Sequence, residues 1–353
     1  MQNKPLSEMA ARLLSWYDQN AREMPWRSDP TPYHVWISEI MLQQTRVAAA
    51  TPYFQQFTKT LPNIEALANA DEAQLLKLWE GLGYYSRVRN LQKAAKLVVT
   101  DHGGHLPSSV NGLSALPGIG PYTAGAISSI AFGQCAPAID GNVMRIFSRI
   151  FGLYDDISLQ KTKRDFGDIS LEMMPPDRPG DFNQALMELG ATVCLPNSAP
   201  LCKECPVLPH CYANKNDCTT ELPVKPPKMQ RTISQKTVFV IVQGDLALLH
   251  KRTDKGVLFG MWEFINHEGI LDEPAIKKVL TDLSIDQITP LKSAKHIFTH
   301  LEWHMNGYLI EVNGAKDLPD CHWVTLDQIT QEYALPSAFK VYQNALMIHL
   351  RNQ

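Results

Sequence analysis

Residues 116–127 read LPGIGPYTAGAI, a stretch that predicts two helices joined by a tight hairpin. Gly118 and Gly120 flank one apolar residue, and glycine permits the positive φ angles and the close backbone approach that a tight turn requires. Pro121 suits the first position of a helix, where a backbone N–H has no partner within the helix. We therefore predict a helix–hairpin–helix unit whose hairpin spans residues 116–123.

The hairpin at residues 116–123 also predicts contact with a phosphate. Backbone amides at a hairpin and at a helix start point outward, and they attract anions without a charged side chain. The alternative is an ordinary connection between helices with a glycine cap. On the phosphate interpretation, the DNA-binding residues here are Pro117, Gly118, Ile119 and Gly120.

The composition favours two or three packed domains and argues against a small disulfide-linked secreted module. The chain has 353 residues, of which 44% are hydrophobic and 20% charged. Its 33 Lys and Arg residues against 36 Asp and Glu give a net charge of −3, so a polyanion must be held by a local surface rather than by the overall field. No apolar run is long enough for a membrane span, and the start lacks a secretion signal, so we expect a cytoplasmic protein.

The periodicity of apolar residues divides the chain into two domains. Residues 1–218 are mostly helical in pattern, the proline-rich residues 219–231 form a connector, and residues 232–353 are of mixed α+β type. Strand-like runs flank Gly244-Asp245 and also Asn306-Gly307, and both places predict antiparallel hairpins. The expected fold class is therefore multidomain, with an all-α core followed by an α+β domain.

Four cysteines in residues 194–211 follow the spacing C-x7-C-x2-C-x5-C, which suits one 4Fe-4S cluster. A structural zinc ion and unligated buried thiols are the alternatives, although a zinc ribbon normally has two separated C-x2-C turns. Cys218 is expected to be a free surface thiol, with a fifth ligand as the alternative. The predicted metal ligands are Cys194, Cys202, Cys205 and Cys211.

Two carboxylates stand in contexts that predict opposite charge states. Asp140 precedes Gly141-Asn142 at an expected helix start, where unpaired amides keep a carboxylate ionised, unless it is a simple N-cap. Glu39 has apolar neighbours one helical turn away on each side, which raise its pKa unless the residue is solvated. One protonated and one charged carboxyl group are the pair needed to cleave a glycosidic bond.

These motifs together resemble the adenine DNA glycosylases of the MutY family, in the helix-hairpin-helix glycosylase superfamily. The resemblance covers nearly the whole chain and is looser after residue 231. It rests on the cysteine set and on the collinear segments VWISEIMLQQT, GLGYYSRVRNL, LPGIGPYTAGAI, IDGNVMRI and FNQALMELGA.

The resemblance implies a role for each matching residue. Glu39 protonates the departing adenine at N7, Asp140 stabilises the positive sugar, and Tyr122 and Asn142 support this chemistry by hydrogen bonding. The family's adenine pocket matches Arg22, Trp26, Arg27, Leu42, Gln44 and Gln184. The elements that wedge into the duplex beside the opposing base match Gln44, Thr45, Leu82 and Tyr84. Core packing for Trp26, Leu42 and Tyr84, and a solvated surface position for Arg22, are the alternatives.

The C-terminal domain resembles the family's Nudix-related module. Residues 263–285 contain no REUxEExGU box, so pyrophosphohydrolase activity is not expected. In the family this module recognises 8-oxoguanine through an F-S-H loop, which matches Phe298, Thr299 and His300 here, with strand packing as the alternative for Phe298. The family also has six residues between the first two cysteines, where this chain has seven, and the extra residue is expected to bulge outward.

Other functions remain as alternatives. Endonuclease III shares the hairpin, the aspartate and the cluster, but it has a lysine nucleophile where this chain has Tyr122, so we predict a monofunctional enzyme that leaves an abasic site. A non-catalytic DNA-binding or redox-sensing protein and a nucleotide hydrolase are the further alternatives. The resemblance implies a monomer of the bacterial cytosol that acts on duplex DNA containing A:8-oxoguanine or A:G mispairs and does not bind a membrane.

Overall fold

The computed structural model describes residues 4–196, 198–227, 230–254, 256–314 and 317–351. The chain forms two compact units. The first comprises Met1–Ala70 and Arg89–Pro227, and the second comprises Asp71–Val88 and Lys228–Gln353. A segment from the helical half of the sequence therefore belongs to the second unit. The expected connector at residues 219–231 stays a prediction, because it includes residues 228 and 229, which lie outside the described residues.

The first unit is helical, as the periodicity predicts. Besides its α-helices, this unit contains two short 3-10 turns, at Cys202–Glu204 and Leu208–His210. The helices are α1 (Lys4–Asn20), α2 (Pro25–Ser28), α3 (Pro32–Leu42), α4 (Val47–Thr60), α5 (Ile64–Asn69), α6 (Glu72–Leu78), α7 (Ser86–His102), α8 (Val110–Ser114), α9 (Pro121–Phe132), α10 (Gly141–Phe151), α11 (Gln160–Met173), α12 (Pro179–Thr192) and α13 (Tyr212–Lys215). Of these, α6 and the start of α7 belong to the second unit.

The predicted helix–hairpin–helix unit is present between α8 and α9. Gly118 has a φ of 79°, in the left-handed region that glycine tolerates, and Pro121 is the first residue of α9. The N–H of Ile119 donates to the carbonyl of Leu116 and closes the turn. Gly120 is the N-cap of α9 with an ordinary φ of −87°, so its place in the turn does not depend on the left-handed region.

The core of the first unit brings α10 and α12 together. Buried residues of α1, α10, α11 and α12 form one apolar cluster that includes Leu13, Phe147 and Phe182. A Cβ at Gly190 of α12 would lie 2.5 Å from the Cβ of Asn142, so only glycine permits this approach. The side chain of Asn142, at the start of α10, therefore packs directly on the backbone of α12 at Gly190.

The second unit contains a mixed sheet, in agreement with the predicted α+β class. In the sheet the path runs β3-β2-β1-β7-β5, with β4 paired to β1, β6 to β7 and β8 to β2. The strands are β1 (Thr232–Gln243), β2 (Leu246–Lys251), β3 (Trp262–Glu263), β4 (Ile265–Glu268), β5 (Ser284–Pro290), β6 (Ala294–Ile297), β7 (Leu301–Asn313) and β8 (Cys321–Thr325). The helices of its C-terminal part are α14 (Glu273–Val279), α15 (Leu326–Gln331) and α16 (Lys340–Arg351).

Strand β1 is buried on both faces, because helices cover the sheet from two sides. Val238 and Val240 face a core that includes Tyr342 of α16. Phe239 lies on the other face, in a second core that includes Ile276 of α14. Successive side chains of a strand point to opposite faces, which explains the continuous apolar run in β1.

One predicted hairpin is confirmed and the other is wrong. Strands β1 and β2 are antiparallel on either side of Gly244-Asp245, as expected. Strand β7, however, runs straight through Asn306-Gly307, and the turn lies at residues 298–300, between β6 and β7. A Cβ at Gly307 would lie 2.1 Å from Cε1 of Tyr342, so the glycine admits an aromatic ring from α16 and does not form a turn.

The segment after Cys218 is held to the first unit. The N–H of Ile157 donates to the carbonyl of Val224, and Leu222 is buried beside Cys211.

Among the described residues, no helix is both long enough and apolar enough to cross a membrane.

Candidate active site

A cavity of about 530 Å³ in the first unit collects the predicted catalytic residues. Glu39 comes from α3, Tyr122 from α9, and Asp140 and Asn142 from the start of α10. This volume lies within the range of pockets that bind small molecules. Sequence alone did not show that Glu39 and Asp140 meet, and the structure places both in one cavity.

Glu39 is buried and its carboxyl group is held by one strong hydrogen bond. Only 6% of the residue is exposed, and Tyr122 Oη donates to Glu39 Oε2 at 2.7 Å. Burial is the main cause that raises the pKa of Glu39 to about 7, and the nearby Asp140 raises it further, while Tyr122 and Arg27 oppose the rise. A large fraction of the molecules therefore keeps a proton on Glu39 near pH 7, in agreement with the raised pKa that its apolar neighbours predict.

Asp140 caps α10 and accepts three hydrogen bonds. The backbone N–H groups of Asn142 and Val143 donate to Oδ1 at 2.8 Å each, and Asn142 Nδ2 donates to Oδ2 at 2.8 Å. Burial raises the pKa of Asp140 despite these donors, so the expected effect of the amides is present but is outweighed. Because Asp140 accepts three hydrogen bonds and Glu39 accepts one, we assign the negative charge of the pair to Asp140.

Tyr122 remains a hydrogen-bond donor under all ordinary conditions. Burial raises the pKa of its phenol well above the usual value, and the carboxyl groups of Glu39 and Asp140 raise it further. Its hydroxyl group also lies 3.8 Å from the sulfur of Met187 on α12. A phenol at this place orients the carboxyl group of Glu39 and offers no amine for a Schiff base.

Most of the predicted adenine-pocket residues share this cavity. Gln44 is exposed, with a φ of 60°, and is not among the described residues that line the cavity. The predicted wedge residue Thr45 does line it. The pocket residues that line the cavity are Arg22, Trp26, Arg27, Leu42 and Gln184.

Glu188 on α12 is almost fully buried and lines the cavity, although it was not among the residues predicted from the sequence. Arg22 forms an ion pair with Glu188 Oε1, and Arg27 Nη2 lies 2.9 Å from Glu188 Oε2. Arg27 Nε also donates to Gln184 Oε1 at 3.0 Å. The available signal was the spacing of Gln184 and Glu188, because residues four apart lie on the same face of a helix.

Arg145 joins the catalytic end of α10 to the cysteine segment. Its Nη2 donates to Asn142 Oδ1 at 2.9 Å and to the carbonyl of Gly190 at 2.8 Å. Its Nε donates to the carbonyl of Cys194 at 2.8 Å. One buried guanidinium thus orients the amide beside Asp140 and also supports the first predicted ligand.

The four predicted ligand cysteines line one largely apolar cavity of the first unit, together with Leu189, Val193 and Val207. All four are free thiols. Among the described residues, no three His, Cys, Asp or Glu side chains are grouped around a single point as ligands of a lone metal ion. Four thiols that line one cavity are a ligand set that suits a 4Fe-4S cluster and also a structural zinc ion.

The surroundings of Cys194 suit a bound cluster. Arg149 Nη1 donates to Cys194 Sγ at 3.3 Å and to the carbonyl of Leu195 at 3.0 Å. The N–H of Leu201 donates to the carbonyl of Val193, which closes the seven-residue loop at its base and leaves Cys194 in the cavity. Residue 197 of this loop lies outside the described residues.

The expected exposure of Cys218 is wrong. The thiol is free, but Cys218 is only 5% exposed and packs beside Cys211 and Leu222. The N–H of Cys218 donates to the carbonyl of Ala213 in α13, and the apolar side chains of this cluster bury the thiol. Cys218 does not line the cavity of the four predicted ligands.

The residues of the 116–123 hairpin differ in what they can offer to a phosphate. Gly118 and Gly120 are exposed, whereas Ile119 is buried and its N–H is already used within the turn. Pro117 has no N–H to donate. Of the four predicted phosphate-contact residues, only Gly118 and Gly120 therefore have an exposed position and a backbone N–H that is not used within the turn.

The second unit carries the predicted wedge residues Leu82 and Tyr84. Leu82 is buried, while Tyr84 is 47% exposed. Tyr84 Oη lies 3.2 Å from Thr299 Oγ1 in the loop between β6 and β7. The second unit therefore brings together one predicted wedge residue and one predicted 8-oxoguanine residue.

The loop at residues 298–300, which we call the tip loop, is anchored by its first residue. Phe298 is half-buried and packs edge-to-face on Trp303, at 4.9 Å between ring centroids, whereas Thr299 and His300 are exposed. The N–H of Phe298 donates to the carbonyl of Leu301 and closes the loop. Phe298 thus supports the loop, and the two exposed residues are its accessible side chains.

Comparison with known proteins gives two family matches. The model for "HhH-GPD superfamily base excision DNA repair protein" matches residues 37–170. The model for the NUDIX domain matches residues 237–344. The first match contains Glu39, Tyr122, Asp140 and Asn142, and the second contains the tip loop.

The chain is similar over most of its length to proteins named adenine DNA glycosylase. The one from Rattus norvegicus is 34% identical, over 94% of this chain and 77% of the relative. The one from Buchnera aphidicola subsp. Acyrthosiphon pisum is 35% identical, over 85% of each chain. Among solved structures, a thermostable thymine-DNA glycosylase has a TM-score of 0.56 at 27% identity, over 61% of this chain and 98% of the other.

Proposed function

Since the chain belongs to the adenine DNA glycosylase family, we propose that it removes adenine mispaired with 8-oxoguanine or guanine in duplex DNA. The observation that carries this proposal is the pairing of Glu39 and Asp140 in one cavity, where Tyr122 donates to Glu39 and burial raises the pKa of Glu39 to about 7. We propose that one monomer binds the mispaired duplex in the bacterial cytosol and leaves an abasic site.

Glu39 is the proton donor in the proposed reaction. Tyr122 donates to Oε2 of the carboxyl group, so the proton of Glu39 lies on Oε1, from which it can pass to N7 of adenine. The bond between C1′ of the sugar and N9 of the base breaks, and its electron pair leaves with the base. Protonation at N7 neutralises the charge that would otherwise develop on the leaving adenine.

Asp140 stabilises the sugar cation that remains. Its carboxylate is oriented by the two amides at the start of α10 and by Asn142 Nδ2, so it needs no rearrangement when the positive charge develops. Water then adds at C1′ and gives its proton to a carboxylate of the cavity. No lysine takes part, so the phosphodiester backbone stays intact.

The adenine site is formed by flat and amide side chains in the same cavity. Trp26 is buried and lines the cavity with its aromatic ring, and Gln184 accepts a hydrogen bond of 3.0 Å from Arg27. Extruding a base from the duplex costs a few kcal/mol, about what stacking and hydrogen bonds in such a pocket return. Recognition of the opposing base is assigned to Tyr84, Thr299 and His300.

An excision assay with defined duplexes tests this function. Purified protein should release adenine from A:8-oxoguanine and A:G duplexes, and strand breaks should appear only after treatment with alkali. Duplexes with A:T pairs serve as the control, and these should stay intact. Strand cleavage by the protein alone, with an adduct trapped by borohydride, would show a lyase and refute the monofunctional mechanism.

We further propose that Cys194, Cys202, Cys205 and Cys211 hold one 4Fe-4S cluster. When bound, such a cluster cross-links the segment from α12 to α13 through four thiolates. Arg149 supports it by donating to Cys194 Sγ. Iron and acid-labile sulfide should be present in equal amounts, and Cys202→Ser should lower both, whereas the matched variant Cys135→Ser at an exposed cysteine should keep them. Zinc in place of iron would refute the assignment.

A further inference from the structure

Residues 81–84, which we call the wedge loop, have an unusual backbone. Gly81 and Gly83 have φ angles of 98° and 69°, and Tyr84 has a φ of 48°, in the left-handed region that non-glycine residues rarely adopt. Such a conformation persists only where surrounding contacts determine it. The exposed ring of Tyr84 is therefore displayed by a loop that must be held in place.

Arg87 and Trp79 hold the wedge loop from its two ends. Arg87 Nη2 donates to the carbonyls of Leu82 and Gly83 at 3.0 and 3.1 Å, and Trp79 Nε1 donates to the same carbonyl of Gly83 at 3.1 Å. The guanidinium of Arg87 also lies over the rings of Trp79 and Tyr84, at 5.3 and 5.7 Å from their centroids. Burial lowers the pKa of Arg87 to about 10, so it stays charged at neutral pH.

Lys77 and Glu80 attach this segment to the C-terminal part of the second unit. Lys77 Nζ lies 2.7 Å from Glu80 Oε2 and donates to the carbonyls of Ile329 and Tyr333 at 2.9 and 3.3 Å. Glu80 Oε1 accepts from the N–H of Leu335 at 2.8 Å. The ammonium thus satisfies carbonyls at the end of α15, where a helix has unpaired acceptors and a favourable dipole.

The wedge loop also meets the tip loop directly. Tyr84 Oη and Thr299 Oγ1 are 3.2 Å apart, so the two exposed side chains meet at one place. The tip loop is anchored independently through Phe298 on Trp303 and through Arg231 Nε, which donates to the carbonyl of Phe298 at 3.1 Å. Both loops are therefore fixed to the C-terminal part of the second unit, the wedge loop through Lys77 and Glu80 and the tip loop through Phe298.

We infer that Lys77 and Glu80 are positioning residues for recognition of the opposing base. They make the wedge loop a part of the C-terminal unit, so Tyr84 and Thr299 act as one recognition element. The inference rests on the proposed function, because it takes these two side chains as the ones that recognise the opposing base. It adds two residues, neither of which needs to touch DNA, that decide specificity.

Two measurements on the full chain test this role. Lys77→Met removes the ammonium and should speed amide hydrogen exchange of residues 79–88 by about tenfold, the effect of losing a hydrogen bond to a charged group. It should also lower the ratio of single-turnover excision from A:8-oxoguanine to that from A:G by about fivefold to tenfold, chiefly through loss on A:8-oxoguanine. Lys77→Arg keeps the charge and the donors and should restore both values.

The control is Lys277→Met, which removes an exposed lysine of the same unit that pairs with Glu273. It should leave both measurements unchanged. Equal losses on the two duplexes in Lys77→Met would show simple destabilisation and overturn the inference, as would faster exchange with an unchanged ratio. If the wild-type chain excised no adenine at all, the proposed function would fail, and unchanged exchange in Lys77→Met would separately show that no attachment exists.

Discussion

The cavity of the first unit and the loops of the second unit solve different physical problems. Glu39 of α3 is buried and Asp140 at the N-cap of α10 is partly buried, and both carboxyl groups accept hydrogen bonds from donors inside the protein. Tyr84, Thr299 and His300 are exposed on short loops that contacts from behind hold in shape. Chemistry requires a dry site that perturbs a pKa, whereas recognition requires side chains that solvent and DNA can reach.

The functional side chains of the two regions are held in position by different means. In the cavity, burial prepares Glu39 for proton donation, because it raises the pKa of its carboxyl group. In the loops, the backbone conformation sets the position of the exposed side chains. Tyr84 has a left-handed backbone, which Arg87 and the attachment through Lys77 hold in place. Variants of the first region should therefore change rates and pH profiles, and variants of the second should change affinity and discrimination.

The largest effect is expected for Glu39→Gln. This change keeps the shape and the contact with Tyr122 but removes the transferable proton, so single-turnover excision should fall by about 10³-fold, while mispair binding should stay within a few-fold. In the wild type, excision should decline as the pH rises through about 7, because the donor must be protonated. A variant that retained turnover would take the acid role away from Glu39.

The same variant should be more stable than the wild type above neutral pH. The pKa of Glu39 is raised from 4.5 to about 7 on folding, so the folded state keeps a proton that the unfolded state releases between these values. The free energy of unfolding of the wild type thus falls as the pH rises through this window. Glu39→Gln lacks this penalty and should gain up to about 3 kcal/mol at pH 8, with a smaller gain at pH 5.

Denaturant unfolding at the two pH values measures this difference. The exposed Glu172→Gln is the matched control and should show no such gain. Equal free energies of unfolding for the wild type and Glu39→Gln at pH 8 would mean that burial does not keep Glu39 protonated. The cavity would then not differ from the exposed loops in this respect.

A smaller effect is expected for Tyr84→Ala in the recognition loops. Removing one ring that stacks on a base should weaken binding to an A:8-oxoguanine duplex by about tenfold. Excision from the saturated complex should change less, because the cavity is untouched. Tyr154→Ala, at a tyrosine that is 48% exposed in the first unit, is the control and should bind normally. A loss confined to the bound-state rate would place Tyr84 with the chemistry instead.

The smallest effect is expected for Glu188→Gln. Arg27 already lowers the pKa of Glu39 somewhat, and neutralising its buried partner leaves more positive charge near the cavity. The pH above which excision declines should therefore be lower by about one pH unit, and excision at pH 7 should fall by a few-fold. Asp181→Asn, which removes a partner of Arg178, should leave the profile in place. An upward shift would show that Glu188 acts on Glu39 in some other way.

Several parts of the site could be predicted because they depend on neighbours in the chain. The N-cap at Asp140, Pro121 at the first position of α9 and the left-handed Gly118 all follow from local backbone geometry. The raised pKa of Glu39 was predicted from apolar residues one helical turn away. The cysteine spacing likewise predicted that the four cysteines share one site, and all four line one cavity.

Other parts could not be predicted because they depend on distant segments. Gly307 suggested a turn, but the ring of Tyr342 from α16 requires a glycine there within a strand. Cys218 has no ligand partner in sequence and is nevertheless buried, because the turn after it packs against Cys211. Glu188 joined the cavity only when α12 came beside Arg22 and Arg27.

The amino-acid sequence by itself determined that helices start at Pro121 and after Asp140, and that apolar neighbours raise the pKa of Glu39. Each of these follows from interactions within a few residues, which the order of side chains specifies. Only the tertiary structure decided that Glu39 and Asp140 share one cavity, and that residues 71–88 belong to the C-terminal unit. Such contacts depend on how whole helices and sheets pack, and packing is decided by the combined shape of surfaces from distant parts of the chain.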